Sequence, residues 1–340
     1  MNSSIIISGV SYSTKNLKKF QEEITPELYA FLINWFDKEN FISIKTSGST
    51  GLPKTIRLSK NKMIFSARKT GAFLNLNPGD KALCCLPLNF IAGKMMIVRA
   101  IALGLDLTFV KPTKSPFKGL NENYMFSACT PYQLENSIED LSKIKILLVG
   151  GAPINEKTRV RLNGAKHTVY ETFGMTETLS HIALKNISNS EKSFKALKGV
   201  SFESVNGCLK ICCKDLLEFP VITNDVIDLI SETEFVWRGR EDFIINSGGI
   251  KINPEKIEKT LSAFFSEPFI IIGIPDKNLG EKLVIAFEKE TPSNYLKGIE
   301  TLNSYEKPKK SYNYVTFKRL NNKILRRDVL KTILSKNGSN

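Results

Sequence analysis

The sequence contains no long hydrophobic run. Apolar stretches such as 269–274 are far shorter than the roughly 18 residues that a membrane-spanning helix needs, so we expect no membrane span. The first residues, MNSSIIISGV, also lack the basic start and the long apolar segment of a signal peptide. A hydrophobic share of 42% and a charged share of 24% over 340 residues predict a globular chain of two or three domains.

Cysteine and histidine are few and poorly spaced for a metal centre. The six cysteines include two adjacent pairs, no C-x-x-C occurs, and the two histidines are His167 and His181. A structural zinc site needs four ligands in tetrahedral geometry, which these spacings do not favour. A disulfide-stapled secreted protein would be shorter and richer in cysteine. We therefore expect reduced thiols and a cytoplasmic protein.

Acidic residues are outnumbered, because 48 Lys and Arg face 34 Asp and Glu for a net charge of +14. Residues 305–340 alone hold ten basic and two acidic residues. Such a surface suits a nucleic acid, a small polyanion, or no ligand at all if the lysines are simply solvated. Charge does not decide among these. Because neither a helix-turn-helix pattern nor an aromatic-interleaved basic stripe occurs, we rank nucleic acid last and expect no such partner.

Strand-like and helix-like segments alternate in the first half of the chain, which predicts an α/β fold with layered, largely parallel sheets. Buried strands are predicted at 41–44, 82–86, 106–110 and 144–149, and helices at 25–37 and 59–73. Short strands between about 185 and 240 predict a small antiparallel β element. The remainder predicts a compact α+β unit. We expect a large domain over 1–241 and a mobile α+β domain over 242–340.

A glycine- and hydroxyl-rich segment, T-S-G-S-T-G-L-P-K at 46–54, directly follows the first of these predicted strands. Its glycines allow close backbone approach, and hydroxyls, N–H groups and a lysine suit a polyphosphate. A Walker A loop is excluded because Pro53 occupies the position of the second glycine. A flexible polar connector remains an alternative. The candidate phosphate ligands are Thr46, Ser47, Gly48, Ser49, Thr50, Gly51 and Lys54.

This segment resembles the phosphate loop of the adenylate-forming superfamily, which includes acyl-CoA synthetases, peptide-synthetase adenylation domains and luciferases. Further motifs follow in the family's order. V-G-G-A-P at 149–153 resembles a segment against one adenine face, and Y-E-T-F-G-M-T-E at 170–177 resembles the Y-G-x-T-E motif. The resemblance implies that Phe173 covers adenine, that Thr176 meets the α-phosphate and that Glu177 holds Mg²⁺. The implied nucleotide ligands here are Gly151, Ala152, Pro153, Phe173, Gly174 and Met175.

The resemblance continues into the second half of the chain. T-N-D at 223–225 is similar to the T-G-D motif, so Asp225 is implied to bind ribose together with Arg240. Asp242 stands at the family's hinge, and Lys323 in N-N-K-I-L-R-R matches its adenylation lysine. Asn224 and Asn322 replace family glycines. The implied coenzyme A contacts are Gly248, Gly249 and Lys251.

The implied activity is adenylation of a small carboxylic acid by ATP with Mg²⁺, followed by acyl transfer to coenzyme A as co-substrate. Within the superfamily, the short first lobe and the segments 88–99 and 176–181 resemble o-succinylbenzoate–CoA ligases of bacterial menaquinone synthesis. That substrate has two carboxylates, and the second needs an anchor. The candidate acid-binding residues are Phe90, Lys94, Arg99 and His181. Another aryl- or acyl-CoA ligase and a catalytically reduced nucleotide-binding protein are the alternatives, and oligomeric state is left open.

Overall fold

The computed structural model describes residues 4–46, 54–175, 177–320 and 323–337. Its first half alternates strands and helices: β1 Ser4–Ile7, β2 Val10–Ser13, α1 Pro26–Phe36, β3 Phe41–Thr46, β4 Lys54–Ser59, α2 Lys60–Leu74, β5 Lys81–Cys84, α3 Ile91–Leu103, β6 Asp106–Phe109, β7 Tyr124–Cys129, α4 Pro131–Glu135, β8 Ile144–Val149, α5 Glu156–Leu162 and β9 Thr168–Gly174. Short strands follow: β10 His181–Asn186, β11 Phe194–Ala196, β12 Ser201–Val205, β13 Cys208–Cys212, β14 Val221–Ser231 and β15 Glu234–Arg240.

The last hundred residues mix the two element types: β16 Ile245–Ser247, β17 Ile250–Ile252, α6 Pro254–Leu261, β18 Phe269–Asp276, β19 Gly280–Phe287, α7 Tyr295–Glu300, β20 Lys310–Tyr312, β21 Arg319–Leu320, β22 Lys323–Ile324 and α8 Arg326–Asn337. No helix within the described ranges is long and apolar enough to cross a membrane.

A single sheet of thirteen strands organises the chain up to Arg240, in the order β12-β13-β14-β15-β11-β10-β9-β8-β7-β5-β6-β1-β2. From β1 to β9 its strands are parallel except for the edge hairpin β1–β2, whereas β10 to β15 pair antiparallel. The predicted α/β class is confirmed. The small antiparallel element is not a separate sheet, because β10 continues the hydrogen-bond ladder of β9.

One strand prediction is corrected by the topology. The segment predicted as a buried strand at 41–44 lies outside the large sheet, in a two-stranded hairpin in which β3 pairs antiparallel with β4. Phe41 is accordingly exposed. The apolar, β-branched composition predicted the strand correctly. It could not predict which strand pairs with it, because β4 lies beyond the polar segment 47–53 in the sequence.

Helix ends follow the sequence's capping residues. Thr25 accepts the N–H of Leu28 and Pro26 occupies the first helical turn, so α1 begins where the Thr-Pro-Glu pattern predicts. Its buried face presents Leu28, Phe31, Leu32 and Trp35 to the main core. Helices α2 and α3 lie in the same core. They cover one face of the parallel strands, as layered α/β architecture requires.

A second sheet begins after Arg240, with β16, β17, β18, β19 and β20. One of its faces packs on α6 and α7, and the other packs on α8. Residues 241–244 therefore lie between the last strand of the first sheet and the first strand of the second. The predicted division at 241/242 falls in this connection and stays a prediction.

Candidate active site

A cleft of about 2060 Å³ opens between the large sheet and the second sheet. Its walls include the loop after β8, the end of β9, strands β14 and β15, helix α6 and the start of α8. Nine residues predicted from separate motifs line it together: Gly151, Ala152, Pro153, Phe173, Gly174, Met175, Glu177, Asp225 and Arg240. Their convergence is the main geometric result, because the motifs are spread over ninety residues of chain.

The floor of the cleft is set by two neighbouring parallel strands. β8 and β9 pair with Val149 opposite Glu171, so the loops that follow both strands emerge at the same edge of the sheet. In open α/β sheets, ligands bind outside the carboxyl ends of the strands. Gly174 is needed at this edge, because a Cβ there would collide with the carbonyl of Ser180 and with Cα of His181.

The predicted phosphate loop is carried by the β3–β4 hairpin. The hairpin's last backbone pair joins Thr46 to Lys54, and Ile56 and Leu58 of β4 line the cleft. Strand β4, which directly follows the predicted phosphate segment in the sequence, therefore reaches the cleft. Six of the predicted site residues lie outside the described residues: Ser47, Gly48, Ser49, Thr50, Gly51 and Thr176. The side chains of Thr46, Lys54 and Lys323 lie outside the described part as well.

Phe173 is half-buried beneath the cleft. Its ring packs edge-on to Phe235 at 5.1 Å between centroids and tilted to Phe194 at 5.6 Å. It therefore has the packing contacts of a core aromatic and still lines the cleft, where a flat base could stack on it.

An ionic cluster of Glu171, Arg159 and Lys185 lies beside this aromatic group and also lines the cleft. Glu171 is 4% exposed and receives Arg159 on both carboxylate oxygens at 2.7 Å, with Lys185 on Oε2 at 2.6 Å. The N–H of Ile154 donates to Oε1 at 3.0 Å. Burial alone would raise the pKa of Glu171, but the charges of Lys185 and Arg159 outweigh burial and hold the pKa below its usual value. The carboxylate thus ties the loop 150–154 to β9.

Asp225 and Arg240 lie opposite each other on β14 and β15. Asp225 is 7% exposed and accepts the indole N–H of Trp237 on Oδ1 at 2.9 Å. Arg240 instead engages Asp242, with Nε to Oδ1 at 2.9 Å and Nη2 to Oδ2 at 3.2 Å. The guanidinium therefore lies on the predicted hinge residue in this arrangement.

Glu177 is exposed at the cleft and forms no ion pair with any described residue. The described chain contains no group of three His, Cys, Asp or Glu side chains that could hold a metal by itself. Magnesium is commonly held by one or two carboxylates together with substrate phosphates and water. The Glu177 carboxylate, which has no ion pair with a described residue, fits that mode of binding.

The four predicted acid-binding residues fall into two places. Arg99 is 3% exposed on α3 and donates from Nη2 to Ser180 Oγ at 2.7 Å, and Ser180 in turn lies 3.3 Å from Nδ1 of His181. Arg99 and His181 therefore lie just behind Gly174, and both are buried rather than lining the cleft. Phe90 and Lys94 lie at the opposite, more exposed start of α3.

Burial affects the charged groups of α3 unequally. It lowers the pKa of the Arg99 guanidinium to about 10 and also lowers the pKa of Lys94. Arg99 Nε has no hydrogen-bond partner within the described ranges, although it is buried. A buried cation without a carboxylate partner is costly, and it favours an anionic ligand.

The predicted coenzyme A contacts do not line the cleft. Gly248 and Gly249 form the turn between β16 and β17, where Ser247 pairs with Ile250. Lys251 follows on β17 and is exposed. This hairpin belongs to the second sheet, so the structure does not bring these residues together with the nucleotide candidates.

Sequence reasoning missed the polar partners of the site. Trp237, Glu171, Lys185 and Arg159 each contact or orient a cleft segment, yet none was assigned a role. A usable signal existed for one pair, since Lys185 lies directly opposite Glu171 once β9 and β10 are paired. The remaining contacts depend on tertiary packing.

Comparison with known proteins places these observations in a family. Residues 19–203 match the family model described as AMP-binding enzyme. An acyl-CoA synthetase (AMP-forming)/AMP-acid ligase II-like protein from Dyadobacter fermentans is 32% identical, with a TM-score of 0.63. The alignment covers 95% of this chain and 99% of that one.

Other relatives are more distant and longer. The 2-succinylbenzoate–CoA ligase of Listeria innocua is 27% identical over 81% of this chain, and that of Salmonella typhimurium is 23% identical over 78%. The matched regions span 64% and 62% of those relatives' lengths, so this chain corresponds to less than two thirds of each.

A solved structure of o-succinylbenzoate coenzyme A synthetase from Bacillus subtilis, in complex with ATP and magnesium ion, shares the fold. Its TM-score is 0.74 at 21% identity, covering 85% of this chain and 69% of that one. On the match of residues 19–203 and the 32% identical relative covered almost end to end, this chain belongs to the AMP-binding enzyme family.

Proposed function

We propose that this chain is an ATP-dependent acid–CoA ligase that adenylates a carboxylate, with o-succinylbenzoate as the acid of menaquinone biosynthesis. The observation that carries the proposal is the convergence of nine motif residues on one cleft. The names of the Listeria and Salmonella relatives support the choice of acid. The six free cysteines fit the cytoplasmic location that we propose with it.

The first step overcomes the poor electrophilicity of a carboxylate. An oxygen of the acid attacks the α-phosphorus of ATP, the bond to the β-phosphate oxygen breaks, and pyrophosphate leaves to give an acyl-adenylate. We assign Phe173 and the loop 151–153 to adenine, and Asp225 and Arg240 to ribose. Lys323 and Thr176 are assigned to the charge that develops at phosphorus. Glu177 would hold Mg²⁺, which supplies electrostatic neutralisation of the phosphates when bound.

In the second step the thiol of coenzyme A loses its proton to water and attacks the acyl carbon, and AMP leaves with the pair of electrons from the broken anhydride bond. We propose that residues 242–340 rotate about Asp242 between the two steps, which would move the 248–249 turn and Lys251 toward the acyl group. The Arg240–Asp242 ion pair would have to rearrange in that motion, because it spans the predicted hinge.

The acid's second carboxylate is assigned to Arg99. Its guanidinium is buried, and Nε has no partner in the described structure. An entering carboxylate would satisfy that donor with a charge-assisted hydrogen bond. Phe90, Lys94 and His181 are assigned supporting positions around the same acid.

The direct test is mass spectrometry of the products formed from ATP, Mg²⁺ and coenzyme A with o-succinylbenzoate or benzoate. We expect o-succinylbenzoyl-CoA, AMP and pyrophosphate, and little benzoyl-CoA. Equal turnover of benzoate would indicate another aryl-CoA ligase. ATP binding without pyrophosphate release for any acid of a panel would indicate a nucleotide-binding protein without ligase activity.

Lys323→Ala separates the two steps. We expect it to abolish acyl-adenylate formation and to spare thioester formation from supplied acyl-adenylate, because its charge is assigned to the first transition state alone. Rapid-quench measurement of each half-reaction checks this. An equal loss in both half-reactions would show that the assignment of Lys323 is wrong.

A further inference from the structure

The indole of Trp237 is hydrogen-bonded to Asp225 at the wall of the cleft. Nε1 donates to Oδ1 at 2.9 Å, and both residues line the cleft. The backbone of Asp225 is fixed separately, because its N–H donates to Thr223 Oγ1 at 3.0 Å. No described residue donates a hydrogen bond to the second carboxylate oxygen, Oδ2.

A β-bulge puts the two side chains on one face of the sheet. Asp225 pairs with Arg240 and Val226 with Gly239, but Ile227 pairs with Trp237, so Arg238 is an extra residue in β15. Side chains two apart on a strand share a face, and so do direct cross-strand partners. Trp237 therefore shares the face of Ile227 and hence of Asp225. In an unbroken ladder it would oppose Asp228 and point to the other face.

A carboxylate that is held on one oxygen presents the other in a fixed direction. Without the indole, the Asp225 carboxylate could rotate about its terminal torsion, which is a broad and soft coordinate for aspartate. Because tryptophan's indole is a donor only, it occupies Oδ1 and cannot itself accept a hydrogen bond from a ribose hydroxyl. The hydrogen bond therefore leaves Oδ2 as the acceptor available to a ligand.

We propose that Trp237 is a positioning residue that orients Asp225 to accept the ribose hydroxyls of the bound nucleotide. This inference rests on the proposed function, since it presupposes that a nucleotide occupies the cleft. Trp237 sets the preference for a ribose over a sugar without hydroxyls, and it does so through Asp225 rather than by touching the sugar.

The test compares ATP with 2′,3′-dideoxy-ATP by isothermal titration calorimetry, with Mg²⁺ and without acid or coenzyme A. We expect the wild type to bind ATP about tenfold or more tightly, as for hydrogen bonds to a charged acceptor. Trp237→Phe keeps a ring and removes the N–H. It should reduce that ratio to about threefold or less while leaving the affinity for dideoxy-ATP unchanged.

The sequence offers a matched control, because Trp35 and Trp237 are its two tryptophans. Trp35 is buried in the core and stacks on Phe31, away from the cleft. Trp35→Phe should therefore keep the wild-type ratio. Asp225→Ala should abolish the preference, and adding Trp237→Phe to it should cause no further loss, since both act through one hydrogen-bonded pair.

If Trp237→Phe weakened the binding of both nucleotides equally, the inference would be overturned, because a general packing defect does not distinguish the two sugars. A wild type that binds both nucleotides equally would also overturn it and leave nucleotide binding standing. A wild type that binds neither nucleotide would contradict the proposed function itself.

Discussion

A chain of hydrogen bonds runs in one direction from Arg99 through Ser180, His181 and Thr70 to the carbonyl of Ser66. Thr70 donates its hydroxyl to the carbonyl of Ser66 at 3.2 Å, so it accepts the Nε2–H of His181 at 3.0 Å. Nδ1 is then free to accept from Ser180, whose oxygen accepts Arg99. Burial and the charge of Arg99 lower the pKa of His181 well below its usual value, so the ring stays neutral. The chain of donors fixes the position of the guanidinium.

Arg99→Met separates stability from activity. The substitution replaces a buried cation that has no ion pair with any described residue by an apolar side chain of similar length, so we expect the free energy of unfolding to rise by about 1–2 kcal/mol. The kcat/KM for o-succinylbenzoate should fall about 100-fold because the second carboxylate loses its partner. Urea unfolding and steady-state kinetics measure the two effects. If turnover of benzoate fell by the same factor, the anchor role of Arg99 would be wrong.

At the scale of elements, the Glu171 carboxylate joins β9 to β10 through Lys185, to α5 through Arg159, and to the cleft loop through Ile154. Three nitrogen atoms make four contacts with its two oxygens, which matches the roughly four lone-pair sites of a carboxylate. The group therefore has no spare acceptor for a nucleotide, and its contribution to the site is to hold the loop in place.

Glu171→Gln should cost about 3–5 kcal/mol of stability, because it leaves Lys185 buried without a counter-charge and leaves Arg159 with only the Glu156 carboxylate at 3.9 Å. Lys185→Met is the matched comparison and should cost less, since Glu171 keeps Arg159 and the loop N–H. ATP affinity should fall in the glutamine variant as the loop loosens. Chemical unfolding and calorimetric ATP titration measure these effects, and equal destabilisation by both variants would contradict the account.

The same carboxylate gives stability a dependence on pH. The folded-state pKa of Glu171 is lowered. Its contribution is therefore complete above the ordinary glutamate pKa of about 4.3 and is lost as the pH falls through the folded value. Wild-type stability should decline more steeply below about pH 4 than that of Glu171→Gln.

Some elements and contacts follow from sequence and others do not. The strand at 144–149 and the helix α1 were predictable because their apolar periodicity and caps are local. The motif residues of the cleft were predictable through family resemblance. The pairing of β3 with β4 and the Trp237–Asp225 bond were not, since one depends on a partner beyond a polar loop and the other on a bulge in β15.

At the scale of the whole molecule, the start of α6 docks on β15 and so links the two sheets. Asn253 Nδ2 donates to the carbonyl of Arg238, and the N–H of Arg240 donates to Glu255 Oε2 at 2.7 Å. Gly239, between them, makes this approach possible. It has φ of +127°, and an added Cβ would lie 2.6 Å from Glu255 Oε2 and 2.7 Å from Asn253 Nδ2.

Gly239→Ala should release this contact. Gly207→Ala is the matched control, because Gly207 also has a positive φ, +83°, but an added Cβ there would meet nothing within 4 Å. Both variants should lose about 1 kcal/mol to backbone strain, but only Gly239→Ala should also displace α6 from β15. We expect trypsin to cleave it after Arg238 and Arg240 several-fold faster than the wild type or the control, since both backbones lose their bonds to α6. Timed digestion with mass spectrometry locates the cuts. Equal cleavage of the two variants would show that strain alone acts, and that α6 does not hold the two sheets together at this strand.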